Sequence, residues 1–293
     1  MRRKNIDKLK SENRVVNLMS LKIIQPSSLL KPYVIAFWDY ENLFAGDNVA
    51  LSILPDTATY LCFLYADLLT TAHKQQTFTT RSGLAGFQSF RSDLGGLGNI
   101  SGVSARLTPW GLNVFCRGIV SDCAERRVDC RDIFPKYSIE KTEDNLALKK
   151  NAEERVQCVE QFLLSILNRN HEELLIQTAC QQLNHSHGND SITQFAQKLG
   201  LSKRTLERRF QLHIGTTPKK YARIVRLRNA LFQRQTLSSW ADVAYSTGYY
   251  DQSHMINDFQ ELYGLSPDKL YPQIEISKTI QFSGLLNLAN VTD

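Results

Sequence analysis

The spacing of apolar residues separates a strand-like part of the chain from a helical part. From about Leu21 to Tyr137, short runs rich in Val, Ile, Phe and Tyr alternate with Pro and Gly, as in "YVIAFWDYENL" and "LNVFCRGIV". Short apolar runs bounded by turn residues are typical of β-strands. We therefore expect a β-rich domain, barrel-like or sandwich-like, over residues 21–150.

The apolar period becomes helical after a polar stretch, "SIEKTEDNLALKKN". Apolar residues recur every three or four positions from Val156 to Leu167, and again from Leu174 to Leu183. We assign this helical pair, with the linker "NHSHGND", to residues 151–189. The pattern leaves open whether the two helices pack on the β-rich domain, join two domains or pair with another subunit.

A third part of the chain, residues 190–273, is helical and internally repeated. The run "FQLHIGTTPKKY" begins at Phe210, and "FQELYGLSPDKLY" begins at Phe259 with Phe-Gln, Gly, Pro and Tyr in the same order. A repeat at this distance indicates a duplicated supersecondary unit. The whole pattern predicts an α+β protein of two domains, a β-rich one followed by an all-α one.

The two ends of the chain lack these patterns. Residues 1–20 are basic without a following hydrophobic segment, so we expect a flexible leader rather than a secretory signal, with Met19 as an alternative start. Residues 274–293 are expected to form a weakly structured tail.

The first copy of the repeat has the features of two short helices joined by a tight turn. Gly200 can end the first helix with a positive φ, and the Ser202 hydroxyl can cap the second. The second helix buries Leu206 and Phe210. This arrangement is a helix-turn-helix unit. The residues expected on the exposed face of its second helix are Lys203, Arg204, Thr205, Glu207, Arg208 and Arg209.

The second copy repeats this plan with a turn that is one residue longer. Gly248 turns the chain, Asp251 caps the second helix, and Phe259 is buried with Met255, Ile256 or both. Between the copies, the run "YARIVRLRNALFQRQ" predicts one helix that ties the two units together rigidly. The residues expected on the exposed face of the second unit are Gln252, Ser253, His254 and Asn257.

Charge is distributed unevenly along a chain whose formal net charge is +6. Residues 191–234 hold eleven Lys or Arg and a single acid, Glu207, whereas residues 235–272 hold one Lys and five acids. A local cationic excess of this size attracts a polyanion. No apolar run approaches the roughly 20 residues that span a bilayer, so we expect no membrane contact and a cytoplasmic protein.

The six cysteines predict neither a metal site nor a disulfide framework. They form no CxxC pair, and His185 and His187 have no convergent Cys or carboxylate motif. We expect reduced structural thiols and no cofactor.

The order of these features resembles the DNA-binding domain of the AraC/XylS family of bacterial transcription regulators. The resemblance covers over a quarter of the chain, and a shorter one links "ILPD" and "GVSARLTPWG" to the N-terminal effector-type domains of some members. The residues that carry the main resemblance are Ala196, Ser202, Leu206, Arg208, Phe210, Gly215, Pro218, Tyr221, Arg226, Ala230, Ala244, Gly248, Tyr249, Ser253, Phe259, Gly264, Ser266, Pro267 and Tyr271.

The resemblance implies a sequence-specific regulator, of the activator kind, whose two recognition helices enter adjacent major grooves of double-stranded DNA. In the first helix, Arg204, Glu207 and Arg208 would read bases, with Lys203 and Arg209 near phosphate. Because the second unit is acidic, we expect the first unit to supply most of the phosphate contact. The second reader would be Gln252, Ser253, His254 and Asn257.

The resemblance also implies partners beyond DNA. RNA polymerase, a second copy of the chain and a small-molecule effector are the candidates, and the protein would associate with the nucleoid. Aromatic residues of the β-rich domain, Trp38, Tyr40 and Trp110, are our candidate effector contacts. The alternative is that these rings belong to the domain core.

Two other classes of function fit a helix-turn-helix. An enzyme such as a DNA-repair protein could couple it to a reactive Cys, but no Cys stands in a Pro-Cys-His-like setting. The G-x-S-x-G, H-E-x-x-H and P-loop motifs are missing from the sequence too. A non-specific nucleoid protein would coat DNA, but two capped helices with mixed polar faces favour sequence readout. We therefore predict that the protein is not an enzyme.

Overall fold

The computed structural model confirms the predicted α+β class, with strands in its N-terminal part and helices in its C-terminal part. The predicted leader, apart from Ser20, and the predicted tail lie outside the described residues. The structure describes residues 20–41, 49–73, 76–96, 100–171 and 173–272.

The strands form two antiparallel sheets. In chain order, the strands β1 to β10 are Ser20–Ile24, Val34–Glu41, Val49–Ile53, Thr59–Leu64, Leu69–His73, Gln76–Thr80, Ser82–Ala85, Ser92–Gly96, Gly102–Leu107 and Arg127–Asp129. The larger sheet has the order β1-β2-β9-β4-β7-β10, and the smaller has the order β3-β8-β5-β6.

The helices dominate the C-terminal part and also flank the larger sheet. In chain order, the helices α1 to α10 are Leu112–Phe115, Val120–Cys123, Lys136–Ala147, Ala152–Ile166, Leu174–His185, Ile192–Lys198, Lys203–His213, Pro218–Gln233, Trp240–Ser246 and Gln252–Tyr263. Short 3-10 helices span Cys130–Asp132 and Arg169–His171, and residues 267–272 are also helical.

Helix α3 is a difference from the sequence analysis, which treated this stretch as the polar end of the β-rich domain. Its buried apolar residues, Ile139 and Leu146, stand seven positions apart, which is two helical turns. Such a narrow stripe gives a weak periodic signal. The buried carboxylate of Glu143 accepts hydrogen bonds from Ser82 and Arg131, which further ties α3 to the strands.

One face of the larger sheet packs against α4. Leu61 and Phe63 of β4 are fully buried, and the Phe63 ring meets Phe162 of α4 edge-on, with the centroids 5.5 Å apart. An ion pair reinforces this contact, because Arg155 of α4 donates two hydrogen bonds to Asp39 of β2, at 2.7 and 2.8 Å. Helix α4 is therefore part of the N-terminal core.

The two helices whose place the sequence left open belong to different cores. Val156, Val159 and Phe162 of α4 pack with the strands, whereas Ile176 and Leu183 of α5 pack with the C-terminal helices. The chain between α4 and α5 thus crosses from one core to the other.

The N-terminal part contacts the C-terminal helices through a buried ion-pair cluster. Asp56 accepts hydrogen bonds from Arg106 of its own domain and from Arg228 of α8, both at 2.7 Å. Tyr60 donates to the same carboxylate. Burial alone would raise the pKa of Asp56, but the guanidinium groups of Arg106 and Arg228 outweigh burial and hold that pKa below its ordinary value. We call Asp56, Tyr60, Arg106 and Arg228 the junction cluster.

Candidate DNA interface

Each half of the repeat forms the predicted helix-turn-helix, with equivalent caps. Ser202 Oγ accepts from the Thr205 amide at 3.1 Å, and Asp251 Oδ1 accepts from the His254 amide at 2.7 Å. Four residues separate α6 from α7 and five separate α9 from α10, which confirms the longer second turn. Gly200, in the first turn, has the predicted positive φ of 69°.

The repeated Phe residues hold the recognition helices α7 and α10 on one shared core. Phe210 of α7 packs edge-on against Tyr221 of α8, with the ring centroids 5.9 Å apart. Phe259 of α10 packs against Trp240 at 5.7 Å, and Trp240 also contacts Tyr271. Because α8 contributes to the same core as both units, it is the rigid connection that the sequence predicts.

The exposed face of α7 contains only part of the predicted set. Lys203, Arg204 and Arg208 are exposed, whereas Thr205, Glu207 and Arg209 are half-buried. Thr205 Oγ1 lies 2.9 Å from the capping Ser202 hydroxyl, and Glu207 lies 3.9 Å from Lys203.

Arg209 departs furthest from its predicted place near phosphate. Its Nη1 donates to Glu173 at 3.3 Å, and Glu173 precedes α5. This ion pair links Arg209 to the residue before α5, while 39% of its side chain stays exposed.

Most other cations of residues 191–234 have partners inside the molecule. Lys220 pairs with Glu125, Arg223 with Asp258 and Glu261, and Arg228 with Asp56. Arg226 lies over the Tyr249 ring at 5.3 Å and donates to Gly188, and Arg234 lies over Trp240 and Tyr271. Among the cations of residues 191–234, all of which the structure describes, those without an ion-pair or ring partner are Lys198, Arg204, Arg208 and Lys219.

The exposed face of α10 contains all four predicted residues. Gln252, Ser253, His254 and Asn257 are exposed, and the His254 ring packs edge-on against Tyr249 at 5.3 Å. Met255 is buried and Ile256 is partly buried, which settles the choice that the sequence left open.

The acidic residues of the second unit have structural roles. Asp251 caps α10, and Asp242 accepts from the Ser239 hydroxyl at the start of α9. Asp258 and Glu261 accept from Arg223 of α8. The negative charge therefore lies largely in caps and ion pairs, away from the four exposed residues.

The candidate effector residues do not meet at one place. Trp38 and Tyr40 lie on the same face of β2, where Trp38 packs against Tyr60 and the Tyr40 hydroxyl accepts from Ser104. Trp110 lies between the two cores and donates its indole hydrogen bond to Pro32. Trp38 and Tyr40 are buried, so they contribute to the interior of the domain whether or not an effector binds there.

The cysteine thiols are poorly suited to nucleophilic chemistry. Burial raises the pKa of each of the six, for example to about 11 at Cys123 and about 12 at Cys116. None of the six forms a disulfide. In the portion that the structure describes, no group of three or more His, Cys, Asp or Glu side chains is arranged to hold a metal ion.

Two further contacts between the domains involve residues that the sequence analysis did not single out. Asn113 of α1 donates to the backbone oxygen of His213, the last residue of α7, at 2.8 Å. The Arg91 amide donates to the backbone oxygen of Leu262, in the last turn of α10, at 3.2 Å. The N-terminal part therefore contacts the C-terminal end of each recognition helix.

Comparisons with known proteins agree on the C-terminal part of the chain. Residues 195–271 match the family model described as a helix-turn-helix domain. Over 86 residues the chain is 31% identical to an uncharacterized HTH-type transcriptional regulator of Haemophilus influenzae, covering 29% of each protein. Over 78 residues it is 35% identical to the HTH-type transcriptional activator RhaS of Escherichia fergusonii, covering 26% of this chain and 27% of RhaS. The chain thus aligns with less than a third of the length of these relatives.

A solved structure also aligns with a larger part of the chain. ToxT from Vibrio cholerae has a TM-score of 0.46 at 10% sequence identity, covering 80% of this chain and 97% of that one. As for membranes, among the helices that the structure describes none has the length and apolar character needed to cross a bilayer.

Proposed function

We propose that this chain, whose C-terminal part is an AraC-type double helix-turn-helix domain, is a sequence-specific DNA-binding transcription regulator. In this proposal α7 and α10 enter adjacent major grooves of one duplex. The relatives that match the domain are described as transcriptional regulators or activators, which favours regulation over the enzymatic alternative.

The observation that carries the proposal is the pair of capped helices on one core. Each recognition helix begins at a side-chain cap, buries a Phe on the shared core and exposes polar side chains of a kind that bind base edges. Arg204 and Arg208 suit guanine, and Gln252 and Asn257 suit adenine. A protein that coats DNA without reading it needs only phosphate contacts, whereas Arg, Gln and Asn on the exposed face of a capped helix can also bind base edges.

The two helices would contribute unequally. Arg204 and Arg208 of α7 are exposed cations without an ion-pair partner within the described residues, whereas α10 contains no Lys or Arg. We infer that α7 supplies most of the phosphate contact and that α10 discriminates more weakly.

The proposal also includes partners other than DNA. A bacterial activator of this kind would act in the cytoplasm, at the nucleoid, and contact RNA polymerase. The N-terminal domain would receive a small-molecule effector, pair with a second copy of the chain, or both. ToxT, described in an unsaturated fatty acid-bound form, gives one example of a small molecule bound to a protein of this kind.

Selection of bound DNA from a random duplex library tests the proposal. The purified full chain should enrich two short motifs with centres about 10–10.5 base pairs apart, one helical turn of DNA. A variant carrying Arg204→Ala and Arg208→Ala should lose one motif, and a variant carrying Gln252→Ala and Asn257→Ala should lose the other. Enrichment of DNA without any motif would instead indicate non-specific binding and would contradict the proposal.

A further inference from the structure

Two buried hydrogen-bond donors without an acceptor lie beside the same hydroxyl group in the N-terminal domain. They are Nε of Arg127, in β10, and Nε2 of Gln88, in the loop before β8, and neither finds a partner among the described residues. Both side chains meet Ser92, since Arg127 Nη2 donates to Ser92 Oγ at 3.0 Å and that hydroxyl lies 3.2 Å from Gln88 Oε1. Buried donors are rarely left unpaired in proteins, so an acceptor is missing at this place.

The missing group should also carry negative charge. Arg106 and Arg155, the two buried arginines of this domain, each have a carboxylate at 2.7 Å, whereas Arg127 is partly buried. Arg127 has only the neutral Ser92 hydroxyl, and burial lowers its pKa while the Cys62 thiol opposes that change. A cation held partly out of water without a counter-charge is also costly. A water molecule would satisfy the donors but would leave the charge uncompensated.

We propose that Arg127, Gln88 and Ser92 form a binding site for the carboxylate group of a small organic acid. A carboxylate offers two oxygens, one for Arg127 Nε and one for the Gln88 amide, together with the missing negative charge. The planar guanidinium matches this geometry better than it matches a spherical ion.

The neighbouring side chains favour an organic acid over an inorganic anion. Arg127 and Tyr60 both pair with Ala85, so their side chains lie on the same face of the larger sheet. Trp38 packs against Tyr60 on that face, with the ring centroids 5.7 Å apart. These aromatic rings would contact the apolar part of an acid.

The site adjoins the contacts between the two domains. Gln88 forms a backbone bridge with Asp56 of the junction cluster, and Asp56 binds Arg228 of α8. In the same loop, the Arg91 amide binds the Leu262 carbonyl of the second recognition helix. Occupancy of the site would therefore change the loop that holds α10, and this step rests on the proposed DNA-binding function.

Thermal unfolding of the full chain tests the site without DNA. The chain is titrated with sodium acetate or sodium benzoate against sodium methanesulfonate and sodium chloride at constant sodium concentration. A carboxylate should raise the unfolding temperature saturably, by about 5–10 °C at one hundred times its Kd. No saturable rise beyond that of methanesulfonate, or an equal rise with chloride, would overturn the proposal.

Single substitutions test whether the rise in unfolding temperature comes from binding at Arg127 and Gln88. Arg127→Gln should abolish the rise, whereas Arg126→Gln, at the exposed neighbouring position, should keep it. Gln88→Glu supplies a carboxylate from the chain itself, so it should raise the unfolding temperature without added acid and remove the response to acetate. A full response in Arg127→Gln, or in Gln88→Glu, would place the bound acid elsewhere and overturn the assignment.

A DNA-binding titration then tests the coupling. With the selected duplex, acetate or benzoate should change the Kd of the wild-type chain at least threefold and leave that of Gln88→Glu unchanged. An intact thermal response with an unchanged Kd would overturn the coupling alone. If no variant binds DNA at all, the proposed function fails while the thermal result still decides the site.

Discussion

Neutralising Asp56 should destabilise the protein more than any change of an exposed acid. The carboxylate binds two guanidinium groups at 2.7 Å, and the exposed fractions of the three side chains are 11% for Asp56, 8% for Arg106 and 15% for Arg228. Asp56→Asn keeps the shape but leaves both arginines without a counter-charge. Breaking a buried ion pair by removing one partner costs about 3–5 kcal/mol, which is a large share of a typical unfolding free energy.

Urea unfolding of the full chain, followed by circular dichroism, measures this cost. Glu140→Gln is the matched control, because Glu140 is half-exposed, lies 3.9 Å from Lys136 and should contribute at most about 1 kcal/mol. Adding Arg228→Met to Asp56→Asn should recover part of the loss, since one unpaired cation is then removed. The reasoning fails if Asp56→Asn shifts the urea midpoint no more than Glu140→Gln does.

Three further predictions concern separate features. Arg208→Ala should weaken binding to the selected duplex by about 1–3 kcal/mol and Asn257→Ala by less, as measured by fluorescence anisotropy; a larger loss at Asn257 would refute the unequal roles. Gly86→Ala should lower the unfolding temperature by several degrees in a thermal scan, because its Cβ would lie 2.1 Å from the Cys123 backbone oxygen; an unchanged temperature would show that the loop yields. Since the pKa of Asp56 is lower in the folded chain than in the unfolded one, its stabilisation is present above about pH 4 and lost as the pH falls further, so Asp56→Asn should flatten the acid limb of stability against pH; equal acid limbs would contradict this.

The sequence predicted those features of the fold whose signals are local. The caps Ser202 and Asp251 precede their helices directly, and the packing residues Phe210 and Phe259 stand at fixed distances from the caps. A repeat makes such signals stronger, because each copy supports the interpretation of the other. The two helix-turn-helix units were therefore predictable nearly to the residue.

The contacts between the domains had no local signal. Asp56 and Arg228 stand 172 positions apart, and nothing near either residue indicates the other. Asn113 contacts His213 across 100 positions in the same way. The place of α5 was open for a related reason, since an amphipathic helix shows that it packs but not against what. Long-range pairing is decided by tertiary packing, which a single sequence does not display.

The ion pairs seen in the structure alter the interpretation of the charges of the two repeat units. The sequence sets eleven cations in one segment against five acids in the next and suggests two units of opposite electrostatic character. In the structure, Arg223 of the first segment pairs with both Asp258 and Glu261 of the second, so its single positive charge offsets part of the negative charge there. What still distinguishes the two recognition helices is the chemistry of their exposed side chains. The first presents Arg204 and Arg208, which can bind phosphate as well as bases, and the second presents two amides, a hydroxyl and the His254 imidazole, with no Lys or Arg among them. The unequal roles proposed for the helices thus rest on these few side chains and not on the net charge of each unit.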